Sequence, residues 1–138
     1  MAFIADLAAY DYYPVASEAL AVGWLDGAER FETGACPSDV TERLKVLASA
    51  PVRLMRGYHY CQFCEHSAPP PKLLRADINL YEAPDVPRGN GEVWLTSPDG
   101  TNYAAPVLIV HYIEAHAYLP PARFINAVRF GVPTEGLS

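Results

Sequence analysis

The chain has 138 residues, a length suited to one domain (residues 1–138), and with 51% apolar and 19% charged residues it can bury a real core rather than remain disordered. Sixteen acidic against ten basic residues leave a formal charge of −6, and the basic residues are spread singly, so nucleic acid, which needs clustered positive charge, is not an expected partner. The start, Met1-Ala-Phe-Ile-Ala-Asp6, carries no basic leader, and the apolar stretch around Ala104 to Val110 is too short to span a bilayer.

In chain order, Tyr10-Asp11-Tyr12-Tyr13-Pro14 reads as an aromatic, turn-rich arm, and Tyr10, Tyr12 and Tyr13 are candidate contacts for a partner. Ala21 to Leu25 reads as a strand, with Asp26-Gly27 turning it back through Arg30-Phe31. A helix then starts at Ser38 or Asp39, with Glu42 completing a capping box, and Pro51 stops it. Its inward side is Val40, Leu44 and Leu47, while Glu42, Arg43 and Lys45 face water.

Val52 to Tyr60 begins with apolar residues at alternate positions, which predicts a strand delivering Cys61 to a turn. Three consecutive prolines, Pro69 to Pro71, forbid a helix there, and Ala76 to Tyr81 suggests a short strand. The clearest local signal is a hairpin. Glu92 to Thr96 and Asn102 to Ala105 flank Ser97-Pro-Asp-Gly-Thr101, where Pro98 suits a type I turn and Gly100 a left-handed closing residue. That register puts Val93, Leu95, Tyr103 and Ala105 on one face. Pro106 suits the first turn of a helix running from Val107 to about Tyr118. A last helix, Ala122 to Arg129, turns Phe124, Ile125 and Val128 inward.

Chemistry-bearing residues are concentrated in two places. All four histidines and two of the three cysteines fall in His59-Tyr-Cys61-Gln-Phe-Cys64-Glu-His66 and His111-Tyr-Ile-Glu-Ala-His116. Thiolate and imidazole are the ligands zinc prefers. A pair of cysteines two apart, a hairpin, then a helix carrying two histidines is the order of parts in ββα zinc modules. Cys61, Cys64, His111 and His116 are therefore the expected ligands of one structural zinc. Histidines five apart lie about 140° from each other on an ideal helix, so the helix must loosen near its end, or His59 or His66 must replace His116. The gap from Cys64 to His111 is much longer than in a small finger, so a metal here would clamp parts of a larger domain. Cys36, left over, reads as a small semi-buried apolar residue.

Three other readings of the C-x-x-C remain. A redox pair needs a following helix to lower a thiol pKa, and Pro69 to Pro71 leave little room for one. A metal-free site would leave two buried thiols and partly satisfied histidines. A catalytic zinc needs an open position and a base, for which Glu65 and Glu114 are the nearby carboxylates. The H-Y-I-E-A-H segment is not the H-E-x-x-H of metalloproteases, and the cluster order does not match nucleobase deaminases.

Gly57-Tyr-His-Tyr-Cys-Gln-Phe-Cys64, followed by Tyr103 through His111-Tyr-Ile-Glu-Ala-His116-Ala-Tyr-Leu-Pro-Pro121, resembles a family of small bacterial proteins of unknown function. The resemblance is clearest over the second half of the chain. It implies bacterial origin and a Cys/His site at Cys61, Cys64, His111 and His116, and it supplies no activity.

The expectation is an α+β domain of short antiparallel strands and about three helices, held by one zinc. Odd cysteine usage without a disulfide framework points to a reducing, cytoplasmic home. The expected role is a non-enzymatic protein-binding or adaptor domain whose partner is another protein, with no membrane association. The alternative is a small zinc-dependent hydrolase with three protein ligands and Glu114 or Glu65 as base.

Overall fold

The structure, a computed structural model, describes residues 3–10, 19–26, 29–52, 59–61, 63–64, 72–75, 80–82, 88–89 and 91–134. Its centre is the expected hairpin, β6 (Glu92–Thr96) and β7 (Asn102–Pro106), paired as Val93↔Ala105, Trp94↔Ala104 and Leu95↔Tyr103. The amide of Gly100 bonds to Ser97 O and that of Ser97 to Thr101 O, with Gly100 at φ 90°. This is the bulged turn that the Pro-Asp-Gly sequence favours.

Strand alternation divides the core. Val93, Leu95, Tyr103 and Ala105 face one cluster with Val40, Leu44, Ile109, Tyr112, Phe124 and Val128, whereas Trp94 and Ala104 face a second with Tyr10, Ala19, Ala21 and Trp24. Three helices supply the first side among the described residues: α1 (Ser38–Ala48), α2 (Ile109–His116) and α3 (Ala122–Phe130). In α1, Val40 and Leu44 are fully buried and Glu42, Arg43 and Lys45 are exposed, as the periodicity requires. Arg43 donates to Val128 O at 2.7 Å and Arg129 pairs with Asp39 at 2.8 Å, tying α1 to α3.

Around the hairpin, β1 (Leu20–Ala21) joins β7 in parallel and β8 (Val132–Pro133) joins β6 antiparallel, giving a four-stranded mixed sheet in the order β1-β7-β6-β8. Short antiparallel pairs complete the class: β2 (His59–Tyr60) with β5 (Arg88–Gly89), and β3 (Lys72–Arg75) with β4 (Leu80–Glu82). The fold is α+β.

Several local expectations fail for identifiable reasons. The strand predicted over residues 21–25 ends at Ala21 because Gly23 takes φ 79°, a left-handed conformation in which a Cβ would also lie 2.9 Å from Ile109. No hairpin returns through Arg30-Phe31, which have no strand structure, and Gly27 of the predicted turn lies outside the described residues. Helix α1 has Pro37 at its N-cap and no side-chain capping bond, so the capping box is not made. Pro106 ends β7 opposite Glu92 instead of opening α2, which begins at Ile109. Of the strand predicted over residues 52–60, Val52 bridges Glu92 and His59–Tyr60 forms β2, with residues 53–58 outside the described set. The triple proline lies outside it too, as does most of the strand expected at Ala76 to Tyr81, of which Leu80 and Tyr81 are observed, at the start of β4.

Tyr10 is not an exposed contact. It is 5% accessible, stacks on Trp24 at 5.3 Å and meets Trp94 edge-on at 5.7 Å. Its hydroxyl donates to the buried Glu92 carboxylate, which also accepts from Trp94 Nε1 at 2.7 Å. Tyr12 and Tyr13 lie outside the described residues. The segment 4–10 runs antiparallel along residues 19–24, with Leu7 N–H bonding Ala21 O at 2.7 Å and Tyr10 N–H bonding Ala19 O at 2.8 Å.

Where α3 turns into β8, a Cβ on Gly131 would sit 2.4 Å from Thr96 O and 2.5 Å from Ala127 O, both fixed backbone atoms. Gly131→Ala is therefore expected to destabilise the chain by about 1–3 kcal/mol, read as a lower urea midpoint with an unchanged slope.

Candidate metal centre

The four expected ligands meet. Cys61 follows β2 and is fully buried, and Phe63–Cys64 form a helical turn immediately after it. Helix α2 supplies the imidazoles from the other side. Cys61 Sγ lies 3.3 Å from His116 Nε2, and Cys64 Sγ lies 3.3 Å from His111 Nε2 and 3.4 Å from His116 Nε2. All four donor atoms fall within 4.8 Å of one another. In a tetrahedral site with metal–sulfur bonds of about 2.3 Å and metal–nitrogen bonds of about 2.1 Å, adjacent S and N atoms are about 3.6 Å apart. The cluster is thus only slightly tighter than the shell of a bound ion, and it can hold one.

Two features let histidines five apart converge. His116 is the last residue of α2, and Ala117 then takes the left-handed conformation at φ 55°. The Tyr118 amide reaches back to Tyr112 O at 3.1 Å, and Ala117 O accepts from Gly34 N–H at 3.0 Å. The Ala117 amide also bonds Tyr112 O, so the last bonds span five and six residues and the helix widens into a left-handed stop made without glycine. Beyond His116 the chain leaves the helical track, and the two imidazole rings meet with centroids 5.0 Å apart at 79°.

Phe63, the second residue between the cysteines, was not singled out from the sequence, yet it anchors the turn. It packs on His116 at 5.2 Å, on Phe31 at 5.1 Å and on Tyr112 at 5.9 Å. An aromatic inside a C-x-x-C was the available signal, because a turn that must meet a buried helix needs an apolar foot. His59 lies in β2 with its backbone alone described, while Glu65 and His66 lie outside the described residues. Cys36 is half-buried, as expected.

Burial pushes the Cys61 thiol up to about 11, and the neighbouring Cys64 adds to the rise. Burial, with His116 beside it, holds His111 below its usual value. Glu114 is on the outer side of α2, paired with Lys45 at 2.9 Å, and Lys45 also reaches Glu42 at 3.3 Å. It is a solvent-facing helix residue tied to α1, not a carboxylate directed at the cluster.

The family model described as a domain of unknown function, DUF7919, matches residues 2–129. The chain belongs to this family. No curated protein and no solved structure matches it. Among the described residues no helix is long and apolar enough to cross a membrane.

The pKa directions set the pH dependence of loading. His111, with its pKa lowered, is neutral and ready to bind at pH 7, whereas Cys61 is protonated and must lose its proton to solvent when a metal binds. Metal affinity is expected to fall as pH falls, by about tenfold per unit for each thiol proton displaced. Competition against a chromophoric chelator between pH 8 and pH 6 checks this, and a flat profile would mean that no thiol proton is displaced, which removes the thiolate ligands.

Proposed function

We propose that this chain is a non-enzymatic protein-binding domain of a bacterial cytoplasmic protein, clamped by one structural zinc on Cys61, Cys64, His111 and His116. The observation that carries the reading is the closed donor set: two sulfurs and two imidazole nitrogens within 4.8 Å of one another. Four protein donors satisfy tetrahedral zinc without water, which is the mark of structural rather than catalytic sites. Mixed sulfur and nitrogen ligands favour zinc over magnesium or calcium, which take oxygen. Free thiols in such a set persist where the compartment is reducing. The zinc would join the turn after β2 to the end of α2, segments that are distant in sequence.

A hydrolase has less support. It would need an open coordination position and a base beside it, and Glu114 is engaged by Lys45 at the surface.

The direct experiment is elemental analysis of the purified protein together with X-ray absorption at the zinc edge. One zinc per chain with two sulfur and two nitrogen neighbours is expected. Cys61→Ser should lose most of that zinc and several kcal/mol of stability, on the scale of other structural sites. A water or carboxylate oxygen in the shell would instead favour the hydrolase. Equal zinc in both proteins would end the assignment of Cys61. For the binding role, the zinc-loaded chain should retain a protein partner through affinity purification that the Cys61→Ser chain does not.

A further inference from the structure

The N-terminal segment, residues 3–10, lies across the molecule as a strap with two anchors. One is Tyr10 on Glu92 in the second core cluster. The other is Asp6, whose carboxylate accepts from the Tyr118 hydroxyl at 2.7 Å and from the Gly23 amide at 3.0 Å. Between them Leu7 sits at φ 66°, a left-handed conformation that a leucine adopts only when its surroundings enforce it. Backbone bonds to residues 19–24 also hold this strap, and loss of either side-chain grip would loosen it.

Tyr118 belongs to the strap and to the metal centre together. It follows His116 by two residues through the left-handed Ala117. Its ring meets Phe31 at 5.9 Å, Phe31 meets Phe63 at 5.1 Å, and Phe63 meets His116 at 5.2 Å. Residues 32–34 seal this region through Gly34 N–H to Ala117 O and Leu119 N–H to Glu32 O, both 3.0 Å. The position of the Tyr118 hydroxyl thus depends on where the end of α2 and the Cys61–Cys64 turn sit, two segments that a metal would tie together.

We propose that metal binding at Cys61, Cys64, His111 and His116 and docking of the N-terminal strap are one coupled equilibrium, transmitted by the grip of Tyr118 on Asp6. This rests on the reading that the cluster holds zinc. The metal favours the docked strap, and by linkage the docked strap raises metal affinity by the same factor. Asp6 contacts none of the four ligands, so an effect of Asp6 on the metal must pass through its bonds to the Tyr118 hydroxyl and the Gly23 amide.

The chain provides its own reporter. Its two tryptophans, Trp24 and Trp94, both contact Tyr10 of the strap and lie in the core cluster that does not contain the cysteines. Zinc titrated into the metal-free full-length protein should change tryptophan emission in step with zinc uptake, measured independently by chelator competition. Asp6→Ala should weaken zinc affinity about fivefold or more. Gly131→Ala, destabilising but remote from both anchors, should leave it unchanged. If Asp6→Ala does not fold, Asp6→Asn, which keeps the shape and one acceptor oxygen, serves in its place with a smaller loss.

Zinc uptake with unchanged tryptophan emission, or wild-type affinity in the Asp6 variants, overturns the coupling. So does an equal loss in Gly131→Ala, which would mean that affinity follows general stability. Failure of the wild-type chain to bind zinc at all overturns the metal reading itself, and this proposal with it, and is distinguished by the competition assay alone.

Discussion

A strand shows its side chains to alternate sides, and in the β6–β7 hairpin that alternation separates two cores. Every second residue faces the helices, and Trp94 and Ala104 face Tyr10 and Trp24. A one-residue slip in the pairing would exchange the two sets, placing Trp94 among the helices and Leu95 under the N-terminal strap. The tight Ser97–Thr101 turn prevents that slip. Helix α2 follows β7 after only two residues, so the hairpin register also sets where the two imidazoles of α2 lie.

The Cys/His cluster is built on that frame but is not its source. Cys61 is fully buried in the same cluster as Leu44, Tyr112 and Phe124, and Phe63 is wedged among aromatic rings. Apolar packing therefore brings the thiols to the helix, and the donor atoms are left close together as a result. An ion there would join two segments already in contact. This agrees with a site that stabilises a domain already having a core, in contrast to small fingers that fold only with metal.

The hairpin, the inward faces of α1 and α3 and the four donors were legible because each depends on spacing within a short stretch: period two, period near four, a Cys pair and a His pair. What was not legible depends on distant partners or on backbone choices that residue type does not force. The parallel pairing of Leu20–Ala21 with Tyr103–Ala104 joins segments from opposite ends of the chain. Gly23 falls inside the strand expected from Ala21 to Leu25, while its actual role is a left-handed bend against Ile109. Pro106 suits a helix start or a strand end equally well, and pairing with Glu92 decides it. Tyr10 carried the composition of a surface contact and is buried because Glu92 and two tryptophans receive it. Phe31 and Tyr118, which lie beside the Cys/His cluster, gave no pattern, since aromatic contact in three dimensions has no sequence period.

The sheet ends in a way that limits what the molecule can do with copies of itself. On one side, residues 8–10 run along β1 and occupy its outer groups. On the other, β8 has only two residues, and one is Pro133, which has no amide hydrogen to offer. Among the described residues, a neighbouring chain seeking to extend the sheet past β8 finds an edge of two residues that lacks one donor, and at the other margin meets residues 8–10 instead of β1. Stacking into fibrils past β8 is thereby discouraged, even in a chain with half its residues apolar.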